Sequence, residues 1–186
     1  MITNLNVYDM DKSIIASGYP MRAEIKPRGI HEKDWKRACV LATRPSNEGH
    51  DNFLAGIVVS FDLSASIKMW TEFERYHFAQ IVSSQSTMHR LDRMDLKPCM
   101  SPYVDKAIVD RLIDLQARYN KTHKEEDRLK LLYSCPTGLK LTARVTTNYR
   151  QLKTIYKQRH NHALPEWREF CKQLEDKLPM FKSWCI

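Results

Sequence analysis

Twice in this chain an apolar, strand-like run passes directly into a stretch of helical periodicity. "GIVVSFDL" (56–63) is β-branched and carries Phe61. Residues 65–80 then change period, with Ile67, Trp70, Phe73, His77 and Phe78 marking one helical face. "LKLTARVT" (139–146) alternates Leu139, Leu141, Ala143 and Val145, and a helix over 148–160 follows it. A half-buried strand needs sheet partners and an amphipathic helix needs a surface to cover, so two such pairs point to an α+β fold, a small sheet with flanking helices. The other segments fit this frame. "RACVLATR" (37–44) reads as a further short strand. Pro102 suits a first helical turn, and Val104, Ile108, Leu112, Leu115 and Tyr119 continue that helix to 119. "NKTHKEED" (120–127) makes a turn, and "RLKLLY" (128–133) is a short helix closed by Pro136 and Gly138. Pro165 opens the last helix, with Trp167, Phe170, Cys171, Leu174 and Leu178 facing inward. The reading is two or three strands and four or five helices. With 186 residues and neither repeat nor linker, residues 1–186 are expected to form a single domain.

Composition removes several classes. Hydrophobic residues make up 42% and charged residues 28%, the balance of a packed domain rather than a disordered chain. No apolar run approaches the roughly 18 residues of a membrane span, and "MITNLNVYDMDKSII" lacks the layout of a secretory signal. The cysteines (Cys39, Cys99, Cys135, Cys171, Cys185) are odd in number, dispersed, and never in a C-x-x-C pair. That favours free thiols in a reducing, cytoplasmic setting and speaks against a metal site. P-loop, G-x-G-x-x-G and G-x-S-x-G motifs are absent. His160, Asn161 and His162 spell a nuclease motif but sit at a helix end without further ligands. The net charge of +8 leaves three readings open: phosphate ligands, nucleic acid, or a solvated basic surface.

Two polar constellations remain. "RYHFAQIVSSQSTMHRL" (75–91) is poor core material, because each buried hydroxyl or amide needs a partner. It reads either as a ligand-binding segment or as a loop whose Ser and Thr cap helices. In "NYRQLKTIYKQRHNHA" (148–163), Asn148 and Arg159 lie about three turns apart and point the same way, with Leu152 and Ile155 between them. Arg159 with Asn148 and Arg150 suits a phosphate or a base edge, which an Arg fork grips with two hydrogen bonds. Alone, Arg159 reads as a structural cation.

In order and distance these residues resemble the flavin-dependent thymidylate synthases. That family carries R-H-R-x-x-S-x-N-E-x-S-x-R-Y after a "GHE"-type turn, a strand and a helix. Here "GHDNFLAGIVVSFDL" (49–63) looks like the turn and strand, and "RYHFAQIVSSQSTMHR" (75–90) lies where the signature belongs. Pro136, "LKLTARVTT", Asn148, Arg150, Leu152, Arg159 and "HALPEW" (162–167) are similar to the family's later strand and N-x-R-x-L helix. The resemblance covers roughly 49–90 and 128–175, with "SIIASGYPM" a weak match before them. It implies a thymidylate synthase complementing-like domain and a homotetramer. It also implies FAD reduced by NADPH, methylenetetrahydrofolate as carbon donor, and transfer of a one-carbon unit to C5 of a pyrimidine nucleotide. Carried over position by position, His50, Arg75, Asn148 and Arg150 are implied FAD contacts. Ser86 and Arg159 are implied substrate contacts, with Arg159 also catalytic, its cation stabilising charge on the base; Gln85 beside Ser86, and Arg90 two positions past Met88 on a re-routed loop, are further expected substrate contacts of the polar segment.

The departures bear on the same site. Tyr76 and His77 replace the signature's His and second Arg, and Gln80 its first Ser. Met88 stands where an Arg follows the signature Ser, Leu132 where a further Arg precedes Pro136, and Ala55 where the turn has Glu. Met88 and Leu132 remove two phosphate-gripping cations. The alternative expectation is therefore a catalytically inactive homologue that binds nucleotides or, through its basic surface, nucleic acid, as in a small phage-type protein.

Overall fold

The computed structural model describes residues 1–45 and 48–186, and among these it has four strands and ten helices, several of a single turn. The strands are β1 (Ile2–Tyr8), β2 (Val58–Ser66), β3 (Gln80–Ser84) and β4 (Lys140–Asn148), neighbours in the order β1-β2-β4-β3. The chain forms two compact units: Met1–Asp62 with Tyr76–Gln80 and Val145–Ile186, and Leu63–Arg75 with Ile81–Arg144. β2 and β4 each begin in one unit and end in the other.

The first unit contains α1 (Met10–Ala16), α2 (Glu32–Ala42), α8 (Tyr149–Arg159), α9 (Pro165–Lys177) and α10 (Phe181–Cys185). Its core is aromatic. Tyr149, Phe181 and Trp184 are buried with ring centroids 5.9–6.2 Å apart, the spacing at which tilted and edge-on ring pairs attract. The Tyr149 hydroxyl donates to the Pro179 carbonyl at 2.7 Å, so its polar tip is satisfied inside the core. A second organiser is Asp34, fully buried at the start of α2. Arg28 reaches it with two hydrogen bonds of 2.6 and 2.7 Å, Arg37 with one of 2.8 Å, and Arg22 lies 3.7 Å away. One carboxylate thereby fixes the extended segment before α2 to the helix.

The second unit contains α3 (Ile67–Phe73), α4 (Thr87–Arg90), α5 (Leu96–Cys99), α6 (Lys106–Thr122) and α7 (Glu125–Tyr133). Leu91, Leu96, Met100, Leu112, Leu115, Leu131 and Leu139 form its core. Asp105 caps α6 through the Ala107 N–H, and His123 ends it in the left-handed region at φ 50°.

Both strand–helix pairs occur as the sequence indicates, since 56–63 falls mostly in β2 and 139–146 in β4. Several local expectations do not hold. Residues 37–44 are largely the end of α2, not a strand. In a helix Ala38 and Ala42 turn inward one turn apart while Val40 points to solvent, and Ala is the strongest helix former. The helix expected to reach residue 80 stops at Phe73. Ser66 caps its start through the Met69 N–H, and the chain then turns so that His77 and Phe78 are exposed rather than continuing the buried face of Trp70 and Phe73. Half of the polar segment is strand and helix (β3, α4) rather than loop. The turn expected at 120–127 is confined to residues between α6 and α7, and α9 is followed by α10. β1 and α1 had no sequence signal of their own.

Burial raises the Asp34 pKa, but the hydrogen bonds from Arg28, then Arg37 and the His31 N–H, prevail and hold it well below the usual carboxylate range. A depressed folded-state pKa adds stability above the ordinary value of 3.8, and that stability is lost as pH falls from there towards the folded-state value. Asp34→Asn is expected to destabilise the protein by about 3–5 kcal/mol at pH 7, because three arginines are left without their carboxylate. Urea melts at pH 7 and pH 3 should show the gap between variant and wild type narrowing on the acid side.

Candidate functional site

The N-terminus of α8 borders a cleft in the first unit. β4 runs into α8 without a loop, and Asn148, the last strand residue, caps the helix through the Gln151 N–H at 2.9 Å. Arg150 then emerges from the first turn. A cleft of about 470 Å³ opens here, lined by Ala55, Phe78, Asn148, Arg150, Gln151 and Thr154. The positive end of the helix and the Arg150 guanidinium favour a negatively charged ligand group.

Arg150 is held from behind. Its Nε lies 3.3 Å from Oδ1 of Asp51, which is fully buried. Asp51 Oδ2 in turn accepts from the Lys153 ammonium at 2.9 Å. Lys153 is itself only 2% exposed and donates also to the carbonyls of Ala42 (2.6 Å) and Arg44 (3.3 Å). The ammonium thus satisfies all three donors, as a buried lysine must. Sequence reasoning missed both Asp51 and Lys153. The available signal was a lysine on the apolar stripe Tyr149, Leu152, Lys153, Tyr156, where solvated lysines do not belong.

Arg159 lies at the other end of α8 and is caged. Its Nε donates to the Tyr76 hydroxyl at 2.8 Å, and that hydroxyl donates to Gln158 Oε1 at 2.9 Å. The guanidinium carbon stands 4.9 Å from the ring centroid of buried Trp167 and 5.7 Å from that of Tyr76. Tyr76, a departure from the signature, is therefore part of the support of Arg159. The helix face between Asn148 and Arg159 is core, with Leu152 and Ile155 fully buried, and Arg159 is not among the residues lining the cleft. His50 is exposed, 3.9 Å from Glu48. It follows Gly49, whose φ of +75° is a conformation that L side chains rarely adopt.

In the second unit Arg75 is exposed, two residues past α3. Gln85 pairs twice with Thr142: its N–H donates to the Thr142 carbonyl and its Oε1 accepts the Thr142 N–H, each at 2.9 Å. Ser86 precedes α4 and is half-buried, and Arg90 is exposed at the end of α4. The adjoining cavity of about 340 Å³ is lined by Thr87, Met88, His89, Arg128, Leu132 and neighbours. Met88 and Leu132, 44 positions apart in the chain, thus line one cavity. The cationic or ionisable basic side chains on its wall are His89 and Arg128, and Arg128 faces Glu125 at 3.4 Å.

Among the described residues no group of three or more His, Cys, Asp and Glu could hold a metal ion, and no helix is long and apolar enough to cross a membrane. Burial pushes the Cys135 thiol up to about 11 and those of Cys171 and Cys185 to about 12, so none is a ready nucleophile. Lys153→Ala is expected to lower stability by about 3–5 kcal/mol, since it leaves a buried carboxylate short of a partner. Chemical denaturation of the purified variant checks this.

No family model matches the chain, and no curated protein matches it significantly in sequence. Solved structures do match in shape. A flavin-dependent thymidylate synthase ThyX from Helicobacter pylori, complexed with FAD and dUMP, superposes with a TM-score of 0.77 at 17% identity, covering 99% of this chain and 100% of that one. A second structure of Thymidylate Synthase X from Helicobacter pylori with FAD and dUMP gives 0.76 at 16% identity, covering 100% and 97%. At this identity the likeness extends to the fold: along its whole length, the chain has the fold of the flavin-dependent thymidylate synthase ThyX.

Proposed function

We propose that this chain is a divergent flavin-dependent thymidylate synthase-like protein that binds FAD and a pyrimidine nucleotide and transfers a one-carbon unit to pyrimidine C5. The observation that carries the reading is the end-to-end likeness of fold to a synthase complexed with FAD and dUMP. The cleft at α8 suits one end of a flavin dinucleotide: it offers a cation, an amide-bearing helix terminus and an aromatic ring in about 470 Å³. Asn148 and Arg150 hold FAD there, with His50 as a further contact. Bound flavin, reduced by NADPH, supplies the hydride, and methylenetetrahydrofolate supplies the carbon.

Arg150 stands against buried Asp51, an ion contact at 3.3 Å that biases its orientation, and Lys153 holds that carboxylate in place. Arg159 in the first unit is the substrate contact. Arg159 stabilises negative charge on the pyrimidine as C5 becomes nucleophilic. Its cage of Tyr76 and Trp167 keeps the guanidinium in place, which is what makes such a charge effective. A homotetramer completes the proposal, as in the family this chain resembles.

A second reading, a homologue that binds ligand without turnover, is favoured by Met88 and Leu132. Each charge-assisted contact to a phosphate is worth about 1.5–3 kcal/mol, and these positions supply none. On either reading dUMP binds more weakly than in an enzyme with both cations.

Visible absorbance after FAD addition tests the first reading. A flavin band that bleaches with NADPH is expected, with a scattering mass near four times 21.9 kDa. A band that resists NADPH selects the binding protein, and no band removes both flavin readings. Arg159→Ala should abolish pyrimidine binding in calorimetry with dUMP, dCMP and dTMP. It should cost about 1–2 kcal/mol of stability, a few degrees in Tm, for the lost Tyr76 hydrogen bond and ring contacts.

A further inference from the structure

Phe78 is anomalous for a residue with so fixed a backbone. Its side chain is 71% exposed, yet its carbonyl accepts a 2.8 Å hydrogen bond from the hydroxyl of Thr147, which is only 4% exposed. On either side the chain is also pinned. The Ala79 N–H donates to the Tyr76 carbonyl at 2.9 Å, and the Gln80 amide donates to the His77 carbonyl at 2.8 Å. A surface phenylalanine on a loose loop is ordinary, whereas one presented by a braced turn at the edge of a cleft is placed. Phe78 and Ala55 are the apolar residues lining the 470 Å³ cleft, and Asn148, Arg150, Gln151 and Thr154 are its polar ones. Neither apolar residue was singled out by the sequence as a contact. Ala55, where the resembled turn carries Glu, adds neither bulk nor charge to the lining.

We infer that Phe78 is a stacking platform for a planar heteroaromatic ring whose attached phosphate is met by Arg150. A ring face is sequence- and substituent-tolerant, so the platform accepts isoalloxazine or adenine, and the Arg150 fork accepts the anion common to both. The choice of probes rests on the reading that this cleft takes a flavin nucleotide; the stacking role rests on the placement of Phe78. It makes Phe78 a determinant of ring affinity in a chain that has exchanged the signature's neighbouring His and Arg for Tyr76 and His77.

Binding of FAD, FMN and ADP to wild type, Phe78→Ala and Phe78→Tyr, by calorimetry with scattering mass and Tm recorded for each, decides it. Alanine is expected to weaken binding by about tenfold or more, the scale of a lost aromatic stack, and tyrosine to restore it. Mass and Tm should stay unchanged, because the ring is exposed. Weakening of FMN with FAD identifies isoalloxazine on the platform, and weakening of ADP with FAD identifies adenine. Equal affinity of Phe78→Ala and wild type for FAD overturns the platform and leaves the flavin reading standing. A loss of affinity that tracks a change in mass overturns it in favour of a subunit contact. If ADP binds in a Phe78-dependent way and neither flavin binds, the platform stands and the flavin reading falls. If wild type binds none of the three, both fall.

Discussion

The first unit is organised around one buried ion pair. Lys153 has no route to water, and its ammonium is stable there because Asp51 supplies the countercharge and two carbonyls at the end of α2 supply the remaining acceptors. This single group ties together α2, the turn before β2 and α8. Replacing such a pair by apolar side chains is often neutral for stability, so its presence is better understood through what it positions. What it positions is Arg150: the carboxylate that neutralises Lys153 also orients the arginine that faces the cleft.

α8 thus carries two arginines supported in different ways. Arg150 is held by a charge and Arg159 by a hydroxyl and two rings. The difference matters chemically. Asp51 holds one arginine through an ion contact, whereas the Tyr76 hydroxyl and the rings of Tyr76 and Trp167 restrain the other by a hydrogen bond and ring contact. Tyr76 and Trp167 therefore matter for Arg159 as Asp51 and Lys153 do for Arg150.

The second unit shows where the chain departs from the synthases whose fold it shares. Met88 and Leu132, positions where the resembled family carries arginines, come from α4 and α7 and line one cavity, so the two departures meet in one place. His89 and Arg128 remain on that wall, Arg128 beside Glu125, which dilutes its charge. On the proposed reading, a cavity without those two cations holds a phosphate dianion less tightly. The weaker dUMP binding proposed for the chain follows from that lining.

The sequence by itself determined the two strand–helix pairs, the burial of Trp167, Phe170, Cys171 and Leu174 along α9, and the family resemblance at Asn148, Arg150 and Arg159, because periodicity and motif spacing are local properties. It misjudged 37–44, where Val and Thr suggested a strand but Asp34, its arginines and the inward alanines settle a helix. It overran α3, because a face drawn through Phe73, His77 and Phe78 cannot show that the chain turns after Phe73. Only the tertiary structure decided that Lys153 is buried, that Asp51 aims Arg150, that Tyr76 and Trp167 cage Arg159, and that Phe78 stands at a cleft. Those facts depend on pairings across 83 positions for Arg159 with Tyr76 and 102 for Lys153 with Asp51. A side chain's partner at that separation is fixed by how the elements pack, and no pattern in the neighbouring sequence encodes it.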